Sequence, residues 1–463
     1  MNLFRTKSIE TMLEGTKTVH LKKSLGVLDL TFLGIGCIIG TGIFVLTGVA
    51  AAKYAGPGIM LSFVLSGLCC AFAALAYAEL AAMVPIAGSA YTYSYAALGE
   101  MVAWIIGWDL ALEYIVGASA VAAGWSAYFT GLLKSSGVIL PHMLTAVPAD
   151  GGIVNLPAIC IVVFLSGLLI SGSKQSSGFN KVLVSIKLGA VLLFLFLAIP
   201  HVDVTNWSPF LPFGFNGIAA GASIVFFAYL GFDAISTASE EAINSNRDLP
   251  IGIICSLVIC TILYIVVAAT LTGVVSYTEL NNAEPVAYAL RSFGSNLGGA
   301  IVAVGAICGI TTVLLGQIYG QSRVAFAMSR DGLLPKAICK VHSKYGTPYL
   351  MTIITAVVVS ILSGFLPIGI IAELCNIGTL FAFSLVSIGV LVLRYTRPDY
   401  HRPFRCPFVH VIAPLSVISS FYLMVNLPME TWIRFVVWLI LGIAVYYFYG
   451  RKNSVISQAA TKR

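Results

Sequence analysis

Charge is what this sequence has least of. Only 10% of its 463 residues are Asp, Glu, Lys or Arg, where a soluble domain carries about 25%. A soluble chain of this length could not clothe its core with so little polar surface, so soluble enzymes, nucleic-acid binders and disordered scaffolds are excluded. The formal charge of +7 does not reverse that. Its basic residues sit at the ends of apolar runs and in short connections, with no basic face and no aromatic interleaving, and no nucleic-acid partner is expected. No Cys-x-x-Cys pair occurs among the ten cysteines, most of which fall inside apolar stretches and read as small buried hydrophobes. There is no His/Glu metal motif and no Ser or Cys constellation with an adjacent base, so catalytic residues, metal and cofactor are all expected to be absent. Residues 1–28 contain no signal-peptide core and read as a retained polar tail.

Apolar residues fill the chain instead, at 59%. Runs of about 18 or more of them, bounded by polar or Pro/Gly punctuation, fall at 29–50, 58–84, 98–131, 153–172, 179–200, 216–240, 250–274, 299–330, 348–366, 369–394, 408–426 and 431–450. The fold class this predicts is an all-α polytopic membrane protein with twelve transmembrane helices. With the first run leaving the cytoplasm, every basic residue except Lys53, Lys134, Arg291 and Arg434 falls on the cytoplasmic side. That includes Lys17, Lys22, Lys23, Lys174, Lys336, Lys340, Lys344, Lys462 and Arg463. This asymmetry is the positive-inside pattern, and it predicts a multi-pass protein of the cell membrane with both termini cytoplasmic. A shift of about 190 residues carries the first run onto the sixth and the second onto the seventh, the signature of a repeated architecture. Five helices per half force the second half to be inverted. The expected organisation is a tail over 1–28, a first repeat over 29–200, a second over 216–394, two extra helices over 408–450 and a tail over 451–463.

Two runs are interrupted at matching places. The first carries Gly34, Gly36, Gly40 and Gly42 within nine residues, each weakening a helix by roughly 1 kcal/mol against alanine. Its spacing is not that of a dinucleotide fingerprint, and no strand precedes it. Close helix packing through small residues is the structural alternative. The sixth run reads Phe226-Phe227-Ala228-Tyr229-Leu230-Gly231-Phe232-Asp233, a single glycine between aromatics and an acid. Paired broken helices in inverted halves point to a midplane binding site. Free amides at a half-helix start attract a carboxylate, and freed carbonyls accept from an ammonium. A ligand with both groups side by side is an α-amino acid.

Ionisable residues inside the runs are costly and are functional candidates by default. Lys187, eight residues into the fifth run, is either a lysine snorkelling to the headgroups or a proton switch, because burial disfavours its charged form. Asp109 and Glu113 are four apart and share a helix face; Glu113, the deeper one, either lines the substrate cavity or is a structural hydrogen-bonding carboxylate. Asp233 reads as a cap for the second half of its helix. Glu79 and Glu373 fit no single role. Thr311 and Thr312 gain interest only if they face Lys187, since such residues often bond back to their own helix.

Together these segments resemble the amino acid–polyamine–organocation superfamily. The glycine-broken segment from Gly36 to Phe44 and the segment from Phe227 to Asp233 look like its two unwound segments. Gly320-Gln321-Ser322-Arg323 and Phe326 through Pro335 (FAMSRDGLLP) resemble the end of its eighth helix and the following loop. Phe179-Asn180-Lys181 through Ile186-Lys187-Leu188, with Tyr400-His401-Arg402-Pro403-Phe404-Arg405, is similar to the bacterial cationic amino acid transporter branch; animal members have fourteen helices where this chain has twelve. The resemblance implies the leucine-transporter-type fold, a 5+5 inverted repeat plus two helices, working by alternating access. It implies that the amides of Gly40, Thr41 and Gly42 bind the substrate carboxylate. Carbonyls near Ile38, Phe227 and Leu230, flanked by Ile39 and Ala228, would take the amino group, with the Phe227 ring closing over it. It further implies that Lys187 stands where sodium-coupled relatives hold a sodium ion, beside the Gly36 and Ile39 carbonyls and Thr311 or Thr312, as the proton-coupling group. The expected activity is proton-coupled uptake of L-amino acids, broad and favouring small neutral ones such as alanine, with cationic ones admitted if Glu113 faces their side chain. An exchanger of the same fold and a non-transporting amino acid receptor are the alternatives. The expected partners are amino acid, protons and lipid; no oligomeric state or small membrane-protein partner is readable.

Overall fold

The computed structural model describes residues 5–7, 25–84, 86, 89–171, 176–239, 242–282, 284–335, 337–338, 342 and 347–455. Lys17, Lys22, Lys23, Lys174, Lys336, Lys340, Lys344, Lys462, Arg463 and Cys339 lie outside the described residues. Within them the chain is helical, and the one β-type pairing is an isolated bridge between Leu25 and Ala242. In chain order the helices are α1 (Val27–Ile38), α2 (Gly42–Met83, broken at Gly56, φ 60° and ψ −147°, into residues 42–55 and Ile59–Met83), α3 (Ser89–Ala97), α4 (Glu100–Ser135), α5 (Leu156–Ile170), α6 (Ser176–Ala198) and α7 (Gly214–Val225). There follow α8 (Ala234–Thr237), α9 (Ser245–Val274), α10 (Pro285–Ser292), α11 (Asn296–Arg330), α12 (Tyr349–Phe365), α13 (Ile368–Thr396), α14 (Val409–Val425) and α15 (Met429–Val445).

Local chemistry sets several of these boundaries. Asn155 caps α5 by accepting from Ala158 N at 3.4 Å, with Pro157 in the first turn, where its missing N–H costs nothing. The apolar run that opens at 250 becomes a helix five residues earlier, at Ser245, with Pro250 inside it. The reason lies in Asp248, whose carboxylate reaches back to accept from Asn244 N at 3.2 Å and stabilises the earlier start. Two helices have no counterpart among the predicted runs. Both α3 and α10 are too short for a membrane-length window, yet every residue of α3 is buried.

Among the described residues eight helical stretches are long and apolar enough to cross a membrane, and α1, α5, α12 and α14 are shorter apolar helices. Large apolar side chains such as Val182, Phe196, Ile262, Ile433 and Phe448 stand on the outer surface. In water such coverage would drive aggregation; in a bilayer it is the solvent-facing surface. The chain is a multi-pass membrane protein. Inside, α9 packs on α1 and α2, and α2 on α7, while α4 packs on α11 and α13, and α11 also on α6. The broken segments after α1 and α7 lie between these two groups.

Two polar clusters tie the helix ends. Glu79, 1% exposed, receives Arg394 through Nε at 2.8 Å and Nη2 at 2.7 Å, and Cys406 N at 2.8 Å. Arg402 Nε lies 3.2 Å from the same carboxylate, and its Nη atoms donate to the carbonyls of Leu393, Arg397, Pro398 and Tyr400. Glu79 is thus the anchor of the 393–406 turn. The second cluster joins the two ends of the chain. Lys7 Nζ pairs with Asp331 at 2.9 Å and Tyr91 OH donates to the same side chain at 2.8 Å. Val455 N donates to the Asp331 carbonyl, and Ser454 Oγ, Tyr446 OH and Tyr95 OH all donate to Glu100. Glu100 N in turn donates to Arg5 O.

Candidate functional site

The glycine-rich segment breaks where its composition predicts. α1 stops at Ile38, Ile39 is extended (φ −75°, ψ 106°), and helical structure resumes at Thr41. The first N–H groups of the resumed helix have no intrahelical acceptor behind them, which leaves the Thr41 and Gly42 amides available at a helix start. In the other half, α7 tightens into a 3-10 turn over Phe226–Tyr229, Leu230 is extended, and Gly231 takes φ +103°. That left-handed conformation favours glycine. A Cβ at Gly231 would also stand 2.9 Å from Cys37 O, so the two breaks touch. They touch again at Gly42, where a Cβ would lie 2.3 Å from Ala228 Cα. Gly42→Ala is therefore expected to force the segments apart and to cut substrate binding by more than about tenfold, an overpacking cost of roughly 1–3 kcal/mol. Equilibrium binding to purified protein checks it, and unchanged affinity would refute the contact. Gly34 and Gly40 are also closely approached, by Ile235 and Ser256 and by Val313, as the packing reading of this glycine cluster expects.

The freed carbonyls of the first break are divided between two side chains. Lys187, 0% exposed, donates from Nζ to Gly36 O at 2.5 Å, to Ile39 O at 2.9 Å and to Thr312 Oγ1 at 3.3 Å. It does not snorkel. Gly309 on α11 makes room for its stem, since a Cβ there would meet Lys187 Cβ and Cδ at 2.9 Å. Thr311 points elsewhere: its hydroxyl accepts from Trp125 Nε1 at 3.0 Å and donates to Ile307 O. The second side chain is Tyr264 on α9, whose hydroxyl lies 3.0 Å from Ile38 O and 2.8 Å from Ala228 O. Phe227 is buried, and its carbonyl accepts from Leu230 N at 3.3 Å within the 3-10 turn. Thr41 Oγ1 is buried without a hydrogen-bond partner among the described residues, its methyl against Gly124.

The buried carboxylates gather on the other side of α4. Asp109 lies against Gly378 and Glu113 beside Cys375 and Thr379, all on α13. Both Asp109 oxygens and Glu113 Oε2 have no hydrogen-bond partner among the described residues. Asp233 stands at the start of α8, and its carboxylate accepts from Tyr114 OH at 3.2 Å and Ser89 Oγ at 3.4 Å, tying α8 to α4 and α3. Glu373 accepts from Thr431 at 3.0 Å and reads as a link between α13 and α15. Among the described residues no group of His, Cys, Asp and Glu is arranged to hold a metal ion. Tyr264, Gly309 and Trp125 are the neighbours that sequence reasoning missed. An aromatic or a glycine in an apolar run carries no mark of what it faces.

Known proteins are similar to this chain in sequence over nearly its whole length. Residues 25–446 match the family model described as amino acid permease. The methylthioribose transporter of Bacillus subtilis is 47% identical over 99% of this chain and 100% of its own. The branched-chain amino acid permease BcaP of the same organism is 48% identical, over 99% of each chain. The chloroplastic cationic amino acid transporter 9 of Arabidopsis thaliana is 33% identical over 96% of this chain and 91% of its own. A multi-pass helical protein with two touching helix breaks, matched over almost its full length, belongs to the amino acid permease family of membrane transporters, within the amino acid–polyamine–organocation superfamily.

Proposed function

We propose that this protein is a proton-coupled importer of L-amino acids in the cell membrane, with twelve spans in a 5+5 inverted repeat plus two helices and with both termini cytoplasmic. The observation that carries the proton coupling is the shell of Lys187. Three acceptors, Gly36 O, Ile39 O and Thr312 Oγ1, meet one Nζ, and only a protonated amine has three N–H groups to give them. Loss of that proton leaves two N–H groups for Gly36 O and Ile39 O and turns the Thr312 hydroxyl from Gly309 O, to which it now donates, toward the amine lone pair, loosening the first helix break from α11. In this reading a proton entering at Lys187 tightens the break around an incoming substrate, and release of both follows on the inner side. The amides of Gly40, Thr41 and Gly42 receive the substrate carboxylate, carbonyls of Ile38, Leu230 and, in place of Phe227 O which accepts from Leu230 N, Ala228 receive its ammonium, and the Phe227 ring closes the site. Cationic side chains are admitted only if Glu113, which lies against Cys375 and Thr379 on α13, faces them.

The substrate class rests on the touching breaks and on relatives named for branched-chain and cationic amino acids. One relative of nearly equal identity is named for methylthioribose, which carries neither carboxylate nor ammonium, and any test must include it. Purified protein in liposomes without internal amino acid, given an inward proton gradient, is expected to accumulate labelled L-alanine or L-leucine and to stop when a protonophore is added. Competition by unlabelled L-alanine, L-leucine and L-arginine, and none by methylthioribose, is the expected order. Uptake that requires preloaded amino acid and ignores the gradient would instead make the protein an exchanger.

A further inference from the structure

The Tyr264 hydroxyl stands between one carbonyl of each broken helix, Ile38 O and Ala228 O. A phenol has one proton to donate, and a carbonyl has none. At any instant the hydroxyl can serve only one of these two acceptors, although it sits within hydrogen-bonding distance of both. Among the described residues the site therefore holds two buried carbonyls, at 3% (Ile38) and 1% (Ala228) residue exposure, sharing a single donor. Buried acceptors without donors are costly, and an ammonium with three N–H groups is a ligand that repays that shortage. The Tyr264 ring is held independently of its hydroxyl, by Phe63 at 5.4 Å and Tyr229 at 5.3 Å between ring centroids. Tyr229 is itself fixed by its bond to Phe63 O at 2.8 Å.

Resting on the amino acid reading above, we propose that the Tyr264 hydroxyl is a positioning residue that stands in for the substrate's ammonium group. It keeps the two breaks in register while the site is empty and yields one carbonyl when the ammonium arrives. Its proton competes with the substrate for the same acceptors, so that removing it strengthens binding while weakening the empty protein. A tyrosine that merely props the helices would weaken both.

The test is Tyr264→Phe in the full-length protein, which keeps the ring and removes the hydroxyl. Thermal unfolding in detergent and equilibrium binding are measured with L-alanine and L-leucine, each beside its α-hydroxy acid counterpart. The expected result is a lower melting temperature without ligand, an amino acid affinity higher by about three- to tenfold, the scale of one hydrogen bond, and no gain for the hydroxy acids. Weaker or unchanged amino acid binding overturns the proposal, as does an equal gain for the hydroxy acids. Incorporating 3,5-difluorotyrosine at 264 provides a second arm if the phenylalanine variant does not fold. Its stronger donor is expected to lower amino acid affinity, and a rise overturns the proposal. Wild-type protein that binds no amino acid defeats the transport reading itself, whereas wild-type binding with the wrong sign in the variants defeats only the stand-in.

Discussion

Replacing Lys187 with alanine is expected to abolish uptake driven by an imposed proton gradient, by a factor of about a hundred or more, while amino acid binding persists. The magnitude follows from the shell. A charge-assisted hydrogen bond contributes about 1.5–3 kcal/mol, and about 3 kcal/mol is two orders of magnitude in a rate or equilibrium. Lys187 makes two such bonds to the first break and one to Thr312, and all are lost together. The space left behind is lined by Gly309, so part of any loss could reflect collapse of α11 toward α6. Lys187→Met, which keeps most of the stem without the charge, separates the two. Gradient-driven uptake lost in both variants, with exchange against internal amino acid retained, is the expected pattern. Unchanged gradient-driven uptake in Lys187→Ala would sink the proton relay and leave the exchanger standing.

Glu79→Ala is expected to be the most destabilising single change among the polar residues, costing about 3–5 kcal/mol. The carboxylate is buried and neutralises two guanidinium groups at once, one of them through a two-point contact. Its removal strands both charges and leaves Cys406 N without its acceptor. The melting temperature in detergent is expected to fall by several degrees, with a matching fall in folded yield, and an unchanged melting temperature would show the cluster to be solvated. Replacing Glu79, Arg394 and Arg402 together by apolar residues of similar volume is expected to cost less than Glu79→Ala alone. The desolvation of the ions disappears with them.

Sequence reasoning reached the fold through what is periodic and the site through what is costly. The long apolar runs forecast α4, α11 and α13 to within a few residues, because a bilayer leaves the backbone few alternatives. Helices α3 and α10 escaped notice because they are short and buried among their neighbours, where only tertiary packing reveals them. Gly34 through Gly42 announced the first break because glycine is expensive in a helix unless something requires it. Lys187 announced itself by its cost in an apolar run. Adjacent Thr311 and Thr312 could not be told apart on paper, yet about 100° of helix rotation sends one to Trp125 and the other to Lys187. Tyr264 was beyond reach for a related reason. Its importance resides in two carbonyl oxygens, 226 and 36 residues away in the chain, and backbone oxygens leave no trace in a residue's letter.

The cluster around Glu100 and Asp331 has a consequence for how the protein is made. Lys7 and Asp331 are 324 residues apart, and Glu100 and Ser454 are 354 apart. At about 5–20 residues per second of synthesis, Lys7 waits tens of seconds for Asp331, and Glu100 waits longer still for Ser454. A polypeptide stalled before Ser454 leaves Glu100 without one of its three hydroxyl donors, while Tyr446 and Tyr95 keep their acceptor. Closure of this cluster is thus a late event in synthesis, set by the arrival of Ser454 and Val455.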